Sequence, residues 1–268
     1  MSVKIPEYVA GHGLLKGKSV LITAAAGAGI GFAAAKRAVE EGCRSIVISD
    51  IHEGRLNDAV ERLKAETGLD KVDGKVCNVA VEEDVQALIA FAEDFCGGVD
   101  VLINNAGCSQ FATLDDSEPD ALAMMLKVNT LAPMLLSRRL LPTLLRSEHA
   151  TLINVGSSFG SIGYPGFSGY CASKFALRGF TEALQRELAD REIAIHYLAP
   201  RAVATDINSE AVVAMNAELG NAVDKPAVVA DAVQALLHQR RSQNRYLGWP
   251  ERLFVRLRAG TNQQIPKQ

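Results

Sequence analysis

Apolar and polar positions along this chain fall into two alternating patterns. Short runs dense in Val, Ile and Leu, namely KSVLIT, RSIVISD, KVDGKVCNV, VDVLINNAG, ATLINVGS and EIAIHYLAP, show no strict apolar–polar alternation, as in strands buried on both faces. Between them lie stretches of helical spacing: FAAAKRAVEEG with Gly42 as its stop, RLNDAVERLKAETG, EEDVQALIAFAEDFCG, a long helix around 118–146 and a helix opening near Tyr170. Strands separated by helices predict an α/β class, a Rossmann-like doubly wound parallel sheet with helices on both faces. Right-handed crossovers then bring the turns beginning at Thr23, Asp50, Asn78, Asn104, Ser157 and Pro200 to one edge of the sheet. A ligand belongs at that edge.

The length of 268 residues, 48% of them hydrophobic, predicts a single domain over 1–268. Residues 206–226, DINSEAVVAMNAELGNAVDKP, are less regular and suit a lid following a strand end, and residues 249–268 form a C-terminal tail. A net charge of -3 gives no basic field, so nucleic acid is not expected as a partner. Five cysteines without CxxC spacing and five histidines without ligand spacing predict reduced thiols, a cytoplasmic protein and no metal. No stretch of eighteen uninterrupted apolar residues occurs, so a soluble, unprocessed chain is expected.

Chemistry first enters at TAAAGAGIG. Gly27, Gly29 and Gly31 follow a strand and precede a helix, which lets backbone N–H groups approach phosphate at a positive helix end. Small residues also occur where a helix packs closely on a sheet, so the turn alone does not decide. Asp50 ends the second strand roughly twenty residues on, where a carboxylate can accept from the two hydroxyls of an adenosine ribose, or merely cap the next turn. Ile51 and His52 follow it rather than Arg or Lys, so a 2′-phosphate would meet uncompensated negative charge. NAD is preferred over NADP.

Four further motifs then fall in order: NNAG at 104–107 after a strand, Asn129 in KVNTLAP, Ser157 thirteen positions before Tyr170, and YCASK with Tyr170 and Lys174 four apart. With these the chain resembles the short-chain dehydrogenase/reductase family from about residue 15 to 248. The resemblance implies NAD(P)-dependent interconversion of an alcohol and a ketone. Tyr170 would be the acid/base, Lys174 would lower its pKa from the same helix face, Ser157 would hold the substrate oxygen, and Asn129 would anchor a proton-relay water. It also implies cofactor contacts from Gly27, Gly29, Ile30, Gly31, Asp50, Asn78, Val79, Asn105, Ala106, Gly107, Tyr170 and Lys174, and from Pro200, Val203 and Thr205 of LAPRAVATD. The alternative is a dinucleotide-sensing protein of the same fold without chemistry.

Three departures from the family pattern stand out. Its first turn reads Thr-Gly-x-x-x-Gly-x-Gly; counting back from Gly31 puts Ala24 and Ala25 at the leading pair, whereas matching Thr23 needs one extra loop residue. Asn78 replaces an aspartate, and its amide carbonyl can still contact the adenine amino group. Arg201 replaces a glycine after Pro200, where it could meet pyrophosphate, a substrate carboxylate or a surface carboxylate.

Phe159, Tyr164, Phe167 and Tyr170, with Cys108, Phe111, Val212 and Met215, suggest an apolar or amphipathic substrate, although the same residues could be packing. The tail, NRYLGWPERLFVRLRAG, is similar to that of members acting on lipids, retinoids or steroids. Its Arg252, Leu253, Phe254 and Arg256 could meet a membrane surface, another subunit or the domain itself. The N-terminal half, with GHGLLKGK, is similar to actinobacterial members acting on steroid-ring degradation intermediates, a similarity the second half does not extend. A homodimer through the helices holding Asn129 and Tyr170, or a homotetramer, is the arrangement the family implies.

Overall fold

A computed structural model describes residues 12–248, so the tail over 249–268 lies outside the described residues. Its centre is a seven-stranded, all-parallel sheet of β1 (Ser19–Ile22), β2 (Ser45–Asp50), β3 (Val72–Val76), β4 (Val101–Asn104), β5 (Ala150–Val155), β6 (Ile193–Ala199) and β7 (Gln243–Tyr246). The spatial order is β3-β2-β1-β4-β5-β6-β7, so strands are added outward in one direction up to β3 and in the other from β4 on. All the strands stay parallel; it is the order of strand addition that turns about there, and that switch opens the crevice in which a doubly wound sheet binds its ligand.

Helices α1 (Ile30–Glu40), α2 (Glu53–Thr67) and α8 (Pro226–Leu237) cover one face, and α3 (Glu82–Cys96), α5 (Ala132–Leu144) and α6 (Ser168–Glu187) the other. The apolar strands behave accordingly. Val20 and Ile22 pack on the first layer, Leu21 between them on the second, and all three are fully buried. The six expected strands are present. The long helix is three pieces in sequence: α4 (Pro119–Leu126), a π turn (Lys127–Leu131) and α5. Asn129 lies on the π turn, the wider winding that often marks functional sites.

Two elements escape the apolar reading, α8 and β7. The strand QNRY is only half-buried because it forms the sheet edge beyond β6, so its composition carries no apolar run. The expected lid lies between β6 and α8 and contains one helix, α7 (Glu210–Glu218), capped by Ser209, whose hydroxyl accepts from Val212 N.

His196 is fully buried on β6, with no hydrogen-bond partner for either ring nitrogen among the described residues. Burial pushes its imidazole down to about 4, and the backbone of Gln243 on β7 opposes this only partly. Because the folded value lies below the ordinary one of about 6.5, stability is held above that pH and lost as pH falls toward 4. Urea denaturation should show roughly 2 kcal/mol lost at this site between pH 7 and 5. In His196→Leu that part of the slope should disappear; an unchanged slope would assign the acid sensitivity elsewhere.

Candidate active site

The first turn leaves β1 through Thr23, whose hydroxyl accepts from Asn105 N and Ala106 N, both at 3.0 Å. The Asn105 amide donates to Thr23 O at 3.0 Å and Ala24 O at 2.9 Å, tying the two strand ends at the crevice. Ala24 follows with φ 52°, a left-handed conformation that glycine adopts without strain. Thr23 thus makes the contacts between the ends of β1 and β4, and Ala24 takes the left-handed conformation beside it.

Gly31 allows no side chain, since a Cβ there would lie 2.4 Å from Ala24 O and 2.7 Å from Asn105 Nδ2. Gly29 is the N-cap of α1, with no side-chain cap and no acidic residue in the first turn. The turn therefore leaves helix N–H donors facing the crevice, a chemistry that fits a phosphate. Thr205, from the loop after β6, approaches this turn: a Cβ on Gly29 would lie 3.7 Å from its methyl carbon.

Asp50 ends β2 and is buried, its Oδ1 accepting from His52 N at 3.1 Å. Arg55, one turn into α2, reaches within 3.8 Å of Asp50 and of Asp206 at the start of the lid. This cation is not among the residues next to Asp50 in sequence; the first turn of α2 brings it back to the carboxylate. Asn78 is partly committed, its Oδ1 accepting from Ala80 N at 3.0 Å. Val79 packs on the second core layer.

A cleft at the carboxyl edge of the sheet is lined by Ile30, Asn105, Gly107, Ser157, Tyr170 and Lys174, by Pro200, Val203 and Thr205, and by Val212 and Met215 of α7. Ser157, Tyr170 and Lys174 are thus brought together with Ile30, Asn105, Gly107, Pro200, Val203 and Thr205, while the predicted residues Asn129, Ala106, Gly27, Gly29, Gly31, Asp50, Asn78 and Val79 lie outside this lining. Ser109, Ile207, Asn208 and Asn216 also line it and carried no sequence signal.

Ser157 caps a short 3₁₀ turn (Ser158–Gly160), and its Oγ accepts from Phe159 N at 3.1 Å. The hydroxyl proton is thereby left for another acceptor. Lys174 is almost fully buried; its Nζ donates to Val155 O at 3.0 Å and lies 5.8 Å from the centre of the Tyr170 ring. Burial pushes its amine down to about 8, so it remains mostly protonated at neutral pH.

Tyr170 stands beside Ser157 and Lys174 in this cleft. Burial raises the phenol to about 12, and what opposes the rise is the Ser157 hydrogen bond.

Asn129 is likewise committed. Its amide donates to Cys108 O at 2.8 Å and Ser173 Oγ at 2.9 Å, and its oxygen accepts from Cys108 N at 2.9 Å. Both amide hydrogens are taken, so any relay water would need another donor.

Phe159, Phe167 and Tyr170 form the aromatic side of the cleft. Phe159 stacks on Tyr164 at 5.0 Å, and Phe167 packs on Phe111 at 5.0 Å, so Tyr164 and Phe111 support the wall from behind. Arg201 forms a two-pronged ion pair with Asp224, at 2.9 and 2.8 Å. Backbone bonds from Ala204 N to Asp224 O and from Asp224 N to Ala202 O close the same loop, so the pair ties together the two ends of the segment that holds α7.

A doubly wound sheet with a glycine-lined first turn and a serine, phenol and amine gathered at its carboxyl edge defines a dinucleotide-dependent oxidoreductase class. The short chain dehydrogenase family model matches residues 18–216, and the chain belongs to that family, whose members act on CH–OH and keto groups with NAD(P). It is 36% identical, over 73% of its length and 74% of the relative's, to the (5R,7aS)-5-hydroxy-7a-methyl-1-oxo-2,3,5,6,7,7a-hexahydro-1H-indene-carboxyl-CoA reductase of Mycobacterium tuberculosis. A short chain dehydrogenase from Mycobacterium smegmatis superposes with a TM-score of 0.76 at 30% identity, covering 91% of this chain and 96% of that one. A Burkholderia cenocepacia short chain dehydrogenase in complex with NADP gives 0.77 at 27% identity, covering 87% of this chain and 98% of that one. Among the described residues no helix is long and apolar enough to cross a membrane, and no group of three or more metal-ligating side chains occurs.

Proposed function

We propose that this chain interconverts a secondary alcohol and a ketone of apolar or amphipathic, lipid- or steroid-like character, with NAD as the preferred cofactor. The observation that carries the reading is the shared cleft of Ser157, Tyr170 and Lys174 beneath an aromatic wall and the apolar lid helix α7. The relative named for a hexahydro-indene-carboxyl-CoA supports an apolar ring substrate.

In this reading, the Ser157 hydroxyl donates to the substrate oxygen and fixes it beside the phenol. Tyr170 gives a proton to that oxygen during reduction and takes it back during oxidation. Lys174 holds a positive charge against the Tyr170 ring, favouring the phenolate when the proton leaves. Asn129 fixes the Cys108 strand end against α6 through Ser173. The nicotinamide, when bound, would supply the hydride in its neutral reduced form or accept it in its positively charged oxidised form. Gly27, Gly29, Ile30 and Gly31 would hold the pyrophosphate, Asp50 the adenosine ribose, Asn78 and Val79 the adenine. Asn105, Ala106, Gly107, Pro200, Val203 and Thr205 would hold the nicotinamide half.

A series of 2-alkanones from 2-butanone to 2-decanone, reduced with NADH, tests the substrate class. Each added CH₂ should raise kcat/KM about fourfold until the cleft is filled, from about 0.8 kcal/mol per buried CH₂. A flat series would remove the apolar assignment.

The NAD preference rests on the Asp50 carboxylate, with Arg55 as the nearest cation to a 2′-phosphate. Wild type should favour NADH over NADPH in kcat/KM, and Asp50→Ala should shift that ratio toward NADPH by about tenfold, the loss of one charge repulsion. An unchanged ratio would move discrimination away from this carboxylate.

The chain is taken as one catalytic unit, with 206–226 as its lid, working as a homodimer or homotetramer. Exposed Met124, Leu126, Leu131 and Phe175, on α4, the π turn and α6, supply an apolar face for such contacts. Five free cysteines suit a reducing cytoplasm.

A further inference from the structure

We infer that Tyr197 is a positioning residue for Ser157, acting through the serine backbone; the inference rests on the reading of Ser157 as the group that holds the substrate oxygen. Tyr197 lies in the middle of β6 and is fully buried. Its hydroxyl accepts from Ser157 N at 3.2 Å and donates to Ser157 O at 3.0 Å. One phenol therefore grips both backbone polar groups of the same residue. The flanking residues are tied to β6 separately, Gly156 N to Leu198 O at 2.7 Å and Ser158 N to Pro200 O at 2.9 Å.

The space around Ser157 is shaped to admit this ring. A Cβ at Gly156 would fall 2.1 Å from Tyr197 Cζ, and one at Gly160 would fall 2.0 Å from its hydroxyl oxygen. The two glycines bracketing Ser157 thus leave room for the tyrosine, and the tyrosine in turn fills the room they leave.

The consequence is local rigidity. With N and O of Ser157 both held, its only soft coordinate is the side-chain torsion, and the bond accepted from Phe159 N fixes that. The Oγ position, and hence its distance to Tyr170 and the substrate oxygen, is set by Tyr197. A displacement of about 1 Å in such a group can cost about 100-fold in rate.

Tyr197→Phe keeps the ring and removes both bonds. With 2-octanone and NADH as probes, kcat should fall about 10-fold to 100-fold. The Kd for NADH, read by fluorescence titration, should stay within about twofold, because the ring that supports the cleft is unchanged. In a Ser157→Ala background the same substitution should change kcat by less than about twofold, since there is no hydroxyl left to position. Wild-type kcat in Tyr197→Phe, or an equal fall in both backgrounds, would overturn the inference. Wild-type kcat in Ser157→Ala alone would instead overturn the role assigned to the serine. If the phenylalanine variant does not fold, 4-aminophenylalanine at position 197 keeps a donor for Ser157 O and weakens the acceptor for Ser157 N. A kcat reduced about threefold to tenfold with unchanged NADH affinity supports the inference, and wild-type kcat overturns it.

Discussion

Tyr170→Phe should abolish turnover while leaving NADH binding intact. The substitution removes one oxygen from a ring packed against Phe159 and Phe167, at centroid distances of 6.3 and 6.2 Å, so the aromatic wall stays in place. What is lost is the proton that must travel with the hydride, and loss of a general acid/base costs about 10²–10⁴ in rate. Because burial holds the phenol near 12, Tyr170 is protonated at neutral pH and primed to donate, which is the state that ketone reduction requires. Reduction should therefore persist at neutral pH, whereas oxidation should accelerate as pH rises. Loss of NADH affinity together with turnover would show that the ring, not the oxygen, is what matters.

Lys174→Met should make the protein more stable and nearly inactive at once. The amine sits almost fully buried with one hydrogen bond, and burial pulls its pKa from about 10.5 to about 8. A folded pKa below the unfolded one means the ammonium is disfavoured in the fold. The group's favourable contribution is present above about pH 10.5 and is lost as pH falls toward 8. At pH 7 the charge therefore costs on the order of 2–3 kcal/mol, of which the bond to Val155 O returns about 1. Methionine fills similar space without charge, so urea denaturation at pH 7 should show a gain of about 1–2 kcal/mol that shrinks between pH 8 and 10. Turnover should fall about 100-fold or more, since the positive charge against the Tyr170 ring is gone. A destabilised variant at pH 7 would mean that the ammonium is well solvated in the fold. Such a trade of stability for function is common where a charge is buried for chemistry.

Much of this site is legible in the residues themselves. Strands such as SVLI and SIVISD are buried on both faces, so their apolar runs stand out, and the turns at their carboxyl ends carry the polar side chains of the crevice. Other features depend on the third dimension. β7 reads as loop because an edge strand needs no apolar run, and the π turn at Asn129 differs from a helix by one residue of winding that no local pattern specifies. The first turn depends on a contact from far along the chain: Thr23 accepts from Asn105 and Ala106, more than eighty residues away. The partners of Arg55 and Arg201 are not adjacent in the sequence. Their carboxylate partners, Asp50 and Asp206 for one and Asp224 for the other, come from separate turns. Tyr197 was hidden in a different way: inside IAIHYLA it reads as one more core residue, and only the placement of Gly156 and Gly160 against its ring reveals the hydroxyl's target.

The central claim is that the cleft performs hydride and proton transfer rather than merely sensing a dinucleotide. A single-turnover experiment tests it most directly, because product release cannot mask the chemistry. Protein saturated with NADH is mixed with the best 2-alkanone, and nicotinamide absorbance is followed alongside the alcohol formed. The account predicts loss of NADH matched one for one by alcohol, absent in Tyr170→Phe. Tight NADH binding with no alcohol formed from any ketone in the series would contradict it.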